Sequence, residues 1–126
     1  GETGIIGESL AGLFIVETFL LEPELFDHYI ALSPSLWWNG EALVRGATER
    51  LRAMPSRPMS FYFSFASDDS IGEAADTLAA SLRTAAPASL SWSFEPMPLE
   101  LHSTIYRAAS PIALRKVFAP ATQPTR

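Results

Sequence analysis

One short stretch of this chain has the residue types and spacing of a reactive serine. Gly7-Glu8-Ser9-Leu10-Ala11-Gly12 is a variant of Gly-x-Ser-x-Gly, with Ala11 in the last position and Gly12 just after it. A serine in that setting serves as a nucleophile when it sits on a strained strand-to-helix turn. Its hydroxyl then stands clear, and the small neighbours let strand and helix approach closely. The amide of Leu10, at the helix start, can donate to a developing oxyanion. The same residues also fit a plainer reading, a chance match in which Ser9 is an ordinary N-cap.

A serine hydroxyl needs a base, and the sequence holds two histidines, His28 and His102. His28 lies before the apolar run Tyr29 to Leu32, which as a strand would put it at the N-terminal edge and leave it a surface or capping residue. His102 lies in the loop Glu95 to Ser103, after the strand candidate Leu90 to Phe94. An imidazole there can take the serine proton and return it to a leaving group. The acid that would orient it should also follow a strand, and Ser67-Asp68-Asp69 follows Met59 to Ala66. The spacing from Ala66 favours Asp69, with Asp68 as its rival. Both could instead cap the helix that begins near Ile71.

The elements that must position these groups alternate along the chain. Gly4 to Gly7 is a short apolar run, and Ser9 to Leu21 reads as a helix apolar on most sides, hence largely buried. Tyr29 to Leu32 is a strand, Glu41 to Met54 a helix, and Met59 to Ala66 an aromatic-rich strand. Ile71 to Ala85 is a helix, Leu90 to Phe94 a strand, and Ser110 to Phe118 a last helix with Pro111 at its first turn. Strictly alternating strands and helices predict an α/β fold with a mostly parallel sheet of about four strands. In such sheets chemistry gathers beyond the C-terminal strand ends. Ser9, Asp68 or Asp69, and His102 each follow a strand, in the chain order serine, acid, histidine of α/β-hydrolases.

Composition narrows the alternatives. A net charge of -5 with a single lysine, Lys116, leaves no basic patch for a phosphate backbone, so no nucleic-acid partner is expected. The longest apolar run, Leu10 to Leu21, is interrupted by Glu17 and Thr18, so no membrane span is expected. The absence of cysteine excludes disulfides, thiolate metal sites and a cysteine nucleophile without fixing a compartment, cytoplasmic or periplasmic. Two separated histidines give no metal cluster, and no phosphate-binding loop or other cofactor signature is present. Residues 1–118 read as one unit and 119–126, with Pro120 and Pro124, as a frayed tail. The chain opens on Gly1-Glu2-Thr3 and turns apolar within four residues, as if cut from something longer.

Three segments together resemble a known family. Gly7-Glu8-Ser9-Leu10-Ala11-Gly12-Leu13-Phe14, Pro23-Glu24-Leu25-Phe26-Asp27 and Ser33-Pro34-Ser35-Leu36-Trp37-Trp38 resemble the esterase D group of α/β-hydrolases, and within it the enterobactin-esterase-like serine hydrolases. The resemblance runs from Gly4 to about Phe118. It implies a carboxylic ester hydrolase acting on a small-molecule ester, with Ser9 attacking, His102 shuttling the proton and an acyl-enzyme between them. Some relatives of this kind rely on a Ser-His pair, which leaves the role of Asp69 open. Trp37 and Trp38 would lie near the pocket mouth, or simply close the core. The N-terminal half of such a fold, with its first strands and its second oxyanion donor, is missing. Ile5 and Ile6 would then sit at an open sheet edge, from which self-association and weak or absent activity are expected. The competing readings are a binding module that keeps the fold without catalysis, and an acyltransferase using the same serine.

Overall fold

Met59 to Ala66 forms the centre of the molecule because its aromatic run suits a strand covered on both faces. The computed structural model describes residues 2–67 and 72–118, apart from the side chains of residues 39–41. Its elements run β1 (Gly4–Glu8), α1 (Leu10–Leu21), β2 (His28–Leu32), α2 (Trp38–Arg45), α3 (Ala47–Arg52), β3 (Met59–Ala66), α4 (Gly72–Ala85), β4 (Leu90–Met97) and α5 (Ile105–Phe118). The four strands are all parallel in the spatial order β1-β2-β3-β4. The expected α/β class, with four parallel strands flanked by helices, is what the chain adopts.

Side chains alternate between the two faces of the sheet. On one face, Tyr29, Ala31, Phe61 and Phe63 pack with Ile15, Phe19, Leu51 and Leu78 of the crossover helices. Phe19 stacks on Phe61 at 4.2 Å between centroids, and Phe63 stacks on Phe94 at 4.6 Å. On the other face, Ile30, Leu32, Tyr62 and Ala66 meet Ile105, Ala109 and Ala113 of α5. Those three α5 residues recur every four positions, one stripe of a helix.

Four expectations need correction. The helix expected over 41–54 is two helices meeting at Gly46. The last helix begins at Ile105, not Ser110, and Pro111 lies inside it. Proline removes one bond to the carbonyl four residues back, and burial of the Ile105–Ala109–Ala113 stripe outweighs that loss. Strand β4 runs three residues past Phe94, through Pro96, which an edge strand tolerates because no ladder partner needs its N–H. Helix α1 is only half covered: Ile15, Val16 and Phe19 are buried, while Leu10, Phe14 and Leu21 are exposed along one side. Residues 119–126, read as a tail, lie outside the described residues.

Candidate active site

The turn between β1 and α1 is built around two glycines. A Cβ on Gly7 would come within 2.8 Å of Ile15 Cδ1 and 3.1 Å of Ala11 Cβ. One on Gly12 would meet Pro34 Cα at 3.1 Å and Leu32 O at 3.2 Å. Both positions demand glycine because strand, helix and the segment after β2 press together there. Between them Ser9 adopts φ 60° and ψ -121°, in the positive-φ region that non-glycine residues avoid, and its side chain makes no capping bond. The N-cap alternative is therefore not what the hydroxyl does. Instead Ser9 Oγ stands 3.2 Å from His102 Nε2, across 93 residues of sequence.

Backbone bonds hold this turn in place. Ser9 N–H donates to Leu32 O at 3.0 Å, and Ser9 O accepts from Leu13 N at 2.9 Å and from Ser35 N at 3.1 Å. Leu10 is the first residue of α1, so its N–H is one of the donors a helix start leaves without an intrahelical acceptor.

The histidine is carried by a tight turn after β4. Glu100 N–H bonds Met97 O at 3.0 Å and Thr104 N–H bonds Leu101 O at 2.9 Å. Thr104 Oγ1 accepts from Leu101 N at 2.9 Å. Ser67 ties the loop after β3 to this turn, because its N–H and its Oγ both donate to Glu100 O at 3.0 Å. Asp68 and Asp69, the acid candidates, lie outside the described residues. Trp37 and Trp38 follow the Ser33–Leu36 segment and are 49% and 57% exposed, their rings edge to face at 6.0 Å. They do not close the core. Trp38 lines a cleft of about 290 Å³ between α1 and α2, with Leu13, Leu21 and Arg50.

His28 opens β2, at the sheet end opposite Ser9. It is not a surface residue, since its side chain is only 12% exposed. Nδ1 lies 2.6 Å from Ser60 Oγ, and the ring packs edge to face on Phe118 at 4.7 Å. Nε2 has Glu2 Oε2 at 3.5 Å, an ion-pair separation rather than a hydrogen bond. Nearby, Arg57 donates to Asp27 Oδ1 at 2.9 Å and to the carbonyls of Pro23 and Phe26. Thr3 N–H and then Arg57 hold the Asp27 carboxyl below the usual carboxylate range. The Pro23–Asp27 segment is thus a structural knot. On the α5 face, burial raises the Tyr62 phenol strongly, and Glu95, which accepts its hydroxyl at 3.1 Å, adds to the rise.

Among the described residues, no group of three or more His, Cys, Asp or Glu could hold a metal ion, and no helix is long and apolar enough to cross a membrane. The sequence reading missed Ser35 and Ser67, whose bonds act on Ser9 and on the His102 turn. The only signal for Ser35 in the sequence is its place in the Ser33-Pro34-Ser35 run.

No protein-family profile matches the chain. It is 40% identical over 47 residues to a siderophore enterobactin esterase of Emericella nidulans, a match covering 37% of this chain and 16% of that protein. It is 51% identical over 35 residues to the ferri-bacillibactin esterase BesA of Bacillus subtilis, covering 28% and 12%. Its fold superposes on an IroE-like serine hydrolase from Shewanella oneidensis with a TM-score of 0.79 at 21% identity, covering 90% of this chain and 39% of that one. The chain thus spans about half or less of the length of the proteins it matches.

Proposed function

We propose that, over the part of the fold that it covers, the chain belongs with the enterobactin-esterase-like α/β-hydrolases and carries the serine-esterase machinery of a carboxylic ester hydrolase. One observation carries the reading: Ser9 Oγ lies 3.2 Å from His102 Nε2, on a turn held at positive φ with no competing cap.

In this mechanism His102 Nε2 accepts the Ser9 proton as Oγ bonds to the ester carbonyl carbon. The carbonyl oxygen gains charge beside the Leu10 N–H. Collapse expels the alcohol, which takes the proton back from His102 and leaves an acyl-Ser9. Water, deprotonated by His102, then releases the acid and restores Ser9. Asp69, or Asp68 in its place, holds the imidazole in the required tautomer. Trp37 and Trp38 supply an exposed aromatic wall for a small-molecule ester.

Among the described residues strand β1 has a neighbour on one side only, and beside it Ile5, Ile6, Leu114 and Phe118 line an apolar cavity of about 250 Å³. A second copy pairing edge to edge would cover this face. Sedimentation at tens of micromolar should show a dimer, and a clean monomer would remove this part.

Intact-mass analysis after fluorophosphonate treatment tests the reading without needing the right substrate. One adduct, mapping to Ser9, is the expected result. Folded protein that takes no adduct would favour a binding module that retains the fold without catalysis.

A further inference from the structure

Only two non-glycine residues among those described have positive φ, Ser9 at 60° and Ser33 at 44°. They are neighbours in space. Leu32, just before Ser33, accepts the Ser9 N–H at 3.0 Å, and Ser33 N–H donates to Ser64 O at 2.8 Å. Ser33 is 1% exposed. A buried serine in the left-handed region is strained unless its surroundings hold it there, and such strain concentrates at functional sites.

What the left-handed turn achieves is visible two residues on. The chain reverses off the end of β2 and lays Pro34 against the first turn of α1, where only the bare Gly12 leaves room. Ser35 N–H then reaches Ser9 O at 3.1 Å. Leu36, fully buried, pins the far end of the turn in the core. The Ser9 peptide is therefore gripped from outside the elbow as well as from within it.

We propose that Ser33 is a positioning residue: its left-handed turn makes the segment 33–36 a clamp that presses Ser35 N–H onto the Ser9 carbonyl and keeps Ser9 Oγ aligned with His102. This rests on the esterase reading of Ser9. The clamp acts through the backbone. Its removal changes the rate of reaction at Ser9.

The test compares Ser33→Gly, which takes φ 44° freely, with Ser33→Val, whose β-branched side chain opposes it, and with Gly12→Ala, which pushes Pro34 outward. Two readouts are taken on folded protein: the second-order rate of fluorophosphonate labelling across pH, and the exchange rate of the Ser35 amide. Ser33→Val and Gly12→Ala should lower the labelling plateau about 10- to 100-fold, the cost of a small misplacement of a reacting group. The Ser35 amide should exchange faster. Ser33→Gly should keep the wild-type rate and the protected amide. Wild-type labelling by folded Ser33→Val overturns the inference. So does a Ser33→Gly loss as large as the Ser33→Val loss, which would give the role to the hydroxyl. Should Ser33→Val not fold, Gly12→Ala alone decides. Wild-type protein that takes no label sinks the esterase reading instead, and the Ser35 amide then decides: equal exchange in all variants overturns the clamp.

Discussion

Ser67 donates twice to one acceptor: its N–H and its Oγ each lie 3.0 Å from the carbonyl oxygen of Glu100. Glu100 is two residues before His102, and Ser67 directly precedes the two aspartates. The loop after β3 and the loop after β4 are thus fastened together at the point where an acid would have to reach an imidazole. Ser67→Ala keeps the backbone bond and loses the hydroxyl one. A net hydrogen bond is worth about 0.5–1.5 kcal/mol, so fluorophosphonate labelling should slow by about two- to tenfold. An unchanged rate would show that the backbone bond alone sets the loop.

Substitutions at the site separate its members. Ser9→Ala should take no adduct, and His102→Ala should lower the labelling rate by about 10²–10⁴, the usual span of a general base. Asp68→Asn and Asp69→Asn, made one at a time, should differ, with the larger loss identifying the acid. Equal and small losses in both would point to a Ser-His pair. His28→Ala is the control: it removes the bond to Ser60 at the opposite end of the sheet and should leave labelling within about twofold while lowering the thermal midpoint.

The elbow's packing predicts a stability cost that is distinct from catalysis. A methyl on Gly7 would sit 2.8 Å from Ile15 Cδ1 and 3.1 Å from Ala11, between a strand and the covered side of α1. Gly7→Ala should cost about 1–3 kcal/mol, as overpacking does. Denaturant titration measures it, and a loss below about 0.5 kcal/mol would mean that Ile15 swings aside freely.

Much of this was legible in the chain because its signals were local. The aromatic run of β3, the glycines at 7 and 12 and the apolar α1 specify strand, turn and helix within a few residues each. The choice of His102 over His28 needed only strand order and the rule that chemistry lies at C-terminal strand ends. What stayed hidden depends on partners far away in sequence. The sequence ends the last strand at Phe94 and starts the last helix beside Pro111, yet an edge ladder runs on through Pro96 and a buried stripe carries the helix back to Ile105. His28 reads as a surface residue because nothing local reveals that Phe118 covers it. The grip of Ser35 on Ser9 is a backbone bond, and no side-chain type in the sequence encodes it.

Acid should test the knot around Asp27. Thr3 N–H and then Arg57 favour its charged form in the folded state, so its folded pKa lies below the ordinary carboxylate value near 4. A lowered folded pKa means that the unfolded chain binds the proton more tightly. The stabilisation is therefore complete above about pH 4 to 5 and is lost as pH falls through the lower, folded value. Asp27→Asn removes that dependence. Thermal midpoints of the two proteins should differ at pH 6, with the wild type higher, and should converge as pH is taken below about 4. A gap that stays constant down to the lowest pH at which both remain folded would mean that the Asp27 charge is not its source, while no gap at any pH would mean that the Arg57 bonds to Pro23 O and Phe26 O hold the knot without Asp27.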